Sequence, residues 1–221
     1  MTATTGDRVT RIVLQLEDAF GEPRWRGRGN VMDSLIQTVL SQSTNDRNRD
    51  TAYRKLKQRY PCWSEMHDAP AEQIADAIRS AGLANQKSVR IREILRWARR
   101  TYGSFDLDFI CDLGPEKVRE ILIPLKGVGI KTISVILMFT CGKDIFPVDT
   151  HVHRICRRLG LVPDSASAVK THELMQPQIP PAKSFSLHMN FLKLGRTICR
   201  ARNPDCPRCP LRQLCPFPAT S

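Results

Sequence analysis

The chain has 221 residues, 41% of them hydrophobic, and a formal net charge of +12. That length supports one or two domains with real cores, and the apolar content excludes a disordered chain. The longest apolar run, ISVILMF at 133–139, is far too short to cross a bilayer, and the first residues, MTATTGDRVTR, lack the apolar core of an export signal, so no membrane role and a cytoplasmic location are expected.

Taken in chain order, the apolar residues recur with a helical period. Val9, Ile12, Val13, Leu16 and Phe20 lie three or four apart, and Gly21 stops the run. Val31, Met32, Leu35, Ile36, Val39 and Leu40 form a second stripe over 31–41. Further helices are predicted over 46–58, 71–80, 86–101, 115–123, 130–141, 150–159, 167–176 and 184–197, with PQIPP at 177–181 a rigid connector. No alternating strand pattern or Asn-Gly hairpin appears, so the fold class is all-α. The positive charge is clustered. Lys87, Arg90, Arg92, Arg96, Arg99 and Arg100 form one group, and Lys193, Arg196, Arg200, Arg202, Arg208 and Arg212 another. Such clusters favour a polyanionic partner.

Three stretches carry chemistry. GPEKVREILIPLKGVGIKTISVILMF (114–139) reads as helix, tight turn, helix, with Gly127 and Gly129 permitting positive φ and close backbone approach. Main-chain N–H groups at such a turn and helix start can take a phosphate oxygen without reading base sequence. Lys131 follows the turn; its amine, when deprotonated, is a nucleophile able to form a Schiff base at a sugar carbon. In FPVDTHVHRICRRLG (146–160), Asp149 precedes a helix, so it is an N-cap and a fixed negative charge suited to an oxocarbenium-like centre. Near the end, CRARNPDCPRCPLRQLC places Cys199, Cys206, Cys209 and Cys215 at C-x6-C-x2-C-x5-C spacing. Four thiolates so close point to a metal site, for which zinc and an iron–sulfur cluster compete on ligand type alone.

The L-x-G-V-G-x-K-T pattern resembles the helix-hairpin-helix of the DNA glycosylase superfamily, with Lys126 where proline is usual and Ile130 where a basic residue is frequent. The K-T…V-D-T-H separation and the cysteine spacing resemble the endonuclease III family. That resemblance implies two helical domains: a six-helix barrel-like block over 31–143, and a discontinuous domain of 1–30 with 144–221 that carries a [4Fe-4S] loop. It implies Lys131 as nucleophile and Asp149 as its partner, with Cys199, Cys206, Cys209 and Cys215 as cluster ligands. Duplex DNA with a damaged or abasic nucleotide becomes the partner, and a monomer near the nucleoid is expected. DNA contacts are implied for the hairpin residues Lys126, Gly127, Val128, Gly129 and Ile130, for His151, and for Arg200, Arg202 and Arg208 beside the cluster. LSQSTND (40–46) is similar to the family's first wedge loop, with Ser43 in register with the usual glutamine and Gln42 one position earlier. GLANQK (82–87) is similar to the second, with Leu83 as the apolar plug. The activity implied is a bifunctional glycosylase and abasic-site lyase for oxidised pyrimidines. A monofunctional mismatch glycosylase and a non-catalytic binder of abasic or branched DNA stay open as alternatives.

Overall fold

The computed structural model describes residues 5–217; the first and last four residues of the second expected domain lie outside them. Eleven α-helices and no strand occur among the described residues. They are α1 Thr5–Phe20, α2 Val31–Ser41, α3 Asp46–Arg59, α4 Trp63–Asp68, α5 Ala71–Ala77, α6 Ala84–Tyr102, α7 Pro115–Leu122, α8 Ile130–Val135, α9 Thr150–Arg158, α10 Ala168–Met175 and α11 Ser184–Thr197. The all-α class read from periodicity is the observed one. Helix α4 was not legible, because a six-residue helix with Met66 as its buried residue has no stripe to detect.

Short polar side chains set the helix starts. The Asn30 side chain accepts the Asp33 N–H at 2.9 Å at the head of α2, and Asn45 accepts from Asn48 at 2.9 Å at the head of α3. Pro115 occupies the first turn of α7, where its missing N–H costs nothing. Gly103, at φ +66, ends α6 in the left-handed conformation that glycine adopts without strain.

Two compact units divide the chain: Arg28–Ile136, and Met1–Gly27 with Leu137–Ser221. In the first, the α2 stripe of Val31, Met32, Leu35, Ile36, Val39 and Leu40 is fully buried. It packs on α3 and α6, while α4 and α5 cover other parts of α6 and α7 pairs with α8. In the second, Val9, Ile12, Val13 and Leu16 of α1 share a core with Val152, Ile155 and Cys156 of α9 and Leu187, Phe191 and Leu194 of α11. Each such side chain contributes about 1.5–3 kcal/mol on full burial.

The helix expected over 130–141 is regular only to Val135. A π-helical turn, Ile136–Thr140, follows. Within the second unit, the Trp25 indole N–H donates to the Phe139 carbonyl at 2.8 Å, satisfying an acceptor in that irregular stretch.

Helices α9 and α11 approach closely at Gly195, where a Cβ would lie 2.9 Å from both Cβ and Nδ1 of His151. Gly195→Ala is expected to cost about 1–3 kcal/mol by overpacking, read as a lower midpoint of urea unfolding. An unchanged midpoint would show that the helices separate freely there.

Candidate active site

The hairpin is built by local hydrogen bonds between α7 and α8. The Leu125 N–H donates to the Leu122 carbonyl at 3.1 Å and the Val128 N–H to the Leu125 carbonyl at 2.9 Å. Gly127 takes φ +85, as the turn demands. Gly129 does not: it is extended at φ −109, the N-cap of α8, with nothing within 4 Å of where a Cβ would sit. Its lack of a side chain therefore leaves the neighbouring amides uncovered, rather than supplying a special backbone angle. Val128 also departs from its expected role. Its side chain is buried and its N–H is used inside the turn, so it anchors the hairpin and has no donor left for a phosphate. Lys126 and Gly127 are exposed, and Ile130 is half-buried.

Lys131 lies in the first turn of α8. Thr132, Ile133 and Ser134 after it are buried, and Lys131 is exposed. Burying those three neighbours fixes the rotation of the short helix, which turns the Lys131 position outward. Its amine carries no hydrogen bond or ion pair within the described residues.

In the other unit, Asp149 is half-buried and caps α9, its Oδ1 accepting the Val152 N–H at 2.8 Å. The segment leading to it is held by side chains that the sequence did not single out. His172 donates from Nδ1 to the Phe146 carbonyl at 2.7 Å, and His188 donates to the Pro147 carbonyl at 2.9 Å. The Gln176 Oε1 accepts the Phe146 N–H at 2.8 Å, while its Nε2 donates to the Asp144 carbonyl at 3.0 Å. These anchors are 26 to 41 residues distant in the chain, so local spacing carries no signal of them. His151 packs over Gly195, and its Nδ1 accepts from the Arg154 guanidinium at 3.0 Å. Since a guanidinium only donates, the ring proton sits on Nε2.

The cysteine loop closes on the same unit. Cys199, Cys206, Cys209 and Cys215 all line one cavity of about 180 Å³ with Arg158, Ile198 and Phe217. Among the described residues no group of three or more His, Cys, Asp or Glu side chains is placed to hold a metal ion as it stands. Arg158 donates to Cys199 Sγ at 3.3 Å and to the Arg200 carbonyl at 2.7 Å, and Arg8 donates to the Leu214 carbonyl at 2.7 Å. Leu211 is fully buried and pins the loop to the core. Burial, with the charges of the neighbouring cysteines adding to it, holds the Cys209 and Cys215 thiols above the usual thiol range. Arg200, Arg202 and Arg208 are exposed around the rim.

The two expected wedge loops both carry left-handed residues. Ser43 takes φ +53 and is exposed; Leu83 takes φ +48 and is 53% exposed. Gln42, one position before Ser43, is engaged inside its unit: its Nε2 donates to the Gly127 carbonyl at 2.8 Å, and its Oε1 accepts from Arg90 at 2.6 Å. Of the two candidates in this loop, Ser43 is the one presented outward. Lys87, counted above in a basic cluster, is fully buried. Burial first, then the charge of Arg90, lowers its pKa below the ordinary lysine value.

The pattern of the HhH-GPD superfamily base excision DNA repair proteins matches residues 36–181. The chain belongs to that superfamily. This HhH-GPD protein is 36% identical over 183 residues to endonuclease III of Thermotoga maritima, covering 83% of the chain and 81% of the relative. It is 38% identical over 170 residues to the putative DNA glycosylase At3g47830 of Arabidopsis thaliana, covering 77% of the chain but spanning only 58% of that relative. Its fold superposes on an endonuclease III in a non-covalent DNA complex with TM-score 0.82 at 26% identity, over 97% of the chain and 96% of the other. It is thus an endonuclease III-like DNA glycosylase of base excision repair.

Proposed function

We propose that this HhH-GPD protein is a bifunctional glycosylase and abasic-site lyase that removes damaged, chiefly oxidised, pyrimidines from duplex DNA. The observation that carries the reading is Lys131: an unpartnered, outward-facing amine two residues past the hairpin turn. A structural relative, 26% identical, is an endonuclease III trapped as a covalent intermediate with DNA, which requires a protein nucleophile.

The hairpin amides and exposed arginines hold the backbone of the duplex, and the damaged nucleotide is everted, at a cost of a few kcal/mol. Lys131 Nζ attacks C1′ of the sugar and the C1′–N bond to the base breaks, the base leaving with the bonding pair. Asp149 stabilises the positive charge that develops at the sugar. Loss of a proton from nitrogen and opening of the ring give the Schiff base; loss of a C2′ proton then expels the 3′ phosphate. Hydrolysis frees Lys131 for another round. Ser43 and Leu83 fill the gap in the stack. Borohydride reduction during turnover is expected to leave a covalent enzyme–DNA adduct; its absence with wild-type protein, alongside free base release, favours the monofunctional reading.

The four thiols that line one cavity are the donor set a [4Fe-4S] cluster takes; Cys199, Cys206, Cys209 and Cys215 would hold it, and it would order the arginine-bearing loop. Anaerobically purified protein is expected to contain about four irons per chain with matching labile sulfide, and Cys209→Ser to lose most of both. Stoichiometric zinc without sulfide would overturn this assignment.

A further inference from the structure

The basic cluster on α6 is not uniform. Arg96, Arg99 and Arg100 are exposed, but Lys87 is fully buried and Arg90 half-buried. Both hydrogen bonds of the Lys87 amine go to main-chain carbonyls: Leu40 at 2.9 Å and Ala81 at 2.7 Å. Leu40 lies in the last turn of α2, and Ala81 ends the 3-10 turn Arg79–Ala81. Carbonyls at helix ends lack intrahelical partners and carry the negative end of the helix dipole, so an ammonium suits both.

Each of these helix ends runs straight into one of the projecting tips. Ser43 follows Leu40 by three residues and Leu83 follows Ala81 by two; both are at positive φ. One turn along the same face of α6, Arg90 donates to Gln42 Oε1, and Gln42 donates to the Gly127 carbonyl of the hairpin. The missing Cβ of Gly127 would lie 3.2 Å from Arg90 Cδ. One face of one helix therefore ties together the first tip, the second tip and the hairpin turn, all inside the unit Arg28–Ile136.

We propose that Lys87 and Arg90 are positioning residues for duplex opening: they lock the Ser43 tip, the Leu83 tip and the hairpin into one rigid edge that enters the duplex as a unit. The inference rests on reading those tips as wedges. Without the locks each loop retains its sequence and can still touch DNA, but the tips move independently and no longer fill the stack together.

The test compares two single-turnover rates in each variant: excision of an oxidised pyrimidine from paired duplex, which needs opening, and nicking at an abasic site in single-stranded DNA, which does not. Lys87→Met keeps the volume and removes the donor. It is expected to slow duplex excision roughly 10- to 100-fold, as misplacement by about 1 Å does, while single-strand nicking stays within about twofold. Arg90→Met, at a half-buried site, is expected to show the same selective loss with its fold intact, and carries the test if Lys87→Met does not fold. Equal losses on both substrates, or no loss on either, would overturn the proposal. Leu83→Ala separates it from the wedge reading. Selective loss in Leu83→Ala with none in Lys87→Met and Arg90→Met leaves the wedge standing and removes the brace. The reverse pattern keeps the brace acting through Ser43 and removes Leu83 as plug.

Discussion

Lys131→Ala is expected to lose base release and strand cleavage together, each by roughly 10³-fold or more, with duplex binding retained. The coupled loss follows from a shared atom: if Nζ both displaces the base and forms the Schiff base, neither step survives without it. Unfolding does not explain such a loss. Lys131 is exposed, in the first turn of a six-residue helix whose packing rests on Thr132, Ile133 and Ser134. Exposed substitutions of this kind fall within about 0.5 kcal/mol. Binding persists because the hairpin's main-chain groups and the arginines of the cysteine loop are untouched, and one lost cation among many lowers the salt slope by only about 0.9. The measurement is single-turnover kinetics on one lesion-bearing duplex, with free base followed by mass spectrometry and nicking by gel. A variant that still releases base at the wild-type rate while failing to nick would place the nucleophile on water and leave Lys131 with the second step alone.

Asp149→Asn is expected to lower base release by roughly 10²- to 10³-fold with little change in stability. Asp149 has two separable duties. Its Oδ1 caps α9 by accepting the Val152 N–H, and its charge faces the developing cation of the sugar in the proposed mechanism. Asparagine caps as well as aspartate does, so the substitution removes the charge and keeps the cap. Asp149→Ala removes both and should cost about 1 kcal/mol more in stability. Thermal midpoints of the three proteins, set beside their single-turnover rates, divide the roles. Full activity in Asp149→Asn would reduce Asp149 to a structural cap.

The anchors around Asp149 explain why such a residue can be held still without lying in a regular element. Phe146, Pro147 and Asp144 are bound by His172, His188 and Gln176 from α10, α11 and the turn after α10. A carboxylate at a helix start gains from a rigid approach segment, since catalytic stabilisation depends on groups that need no reorganisation during the reaction.

Local order alone determined the helical class, the Asp149 cap, the hairpin between α7 and α8 and the grouping of four cysteines, because periodicity, capping and short ligand spacings act over a few residues. Even there, Gly129 was misjudged: two glycines one residue apart look alike in a string, while the turn uses left-handed φ at Gly127 only. Tertiary structure alone decided that Lys87 is buried rather than solvated, that Gln42 turns inward to Gly127 while Ser43 is left outside, and that the Val128 side chain is buried. The first two depend on partners 47 and 85 residues away, and a charge is stabilised in a core only by carbonyls that the folded chain has already brought to it.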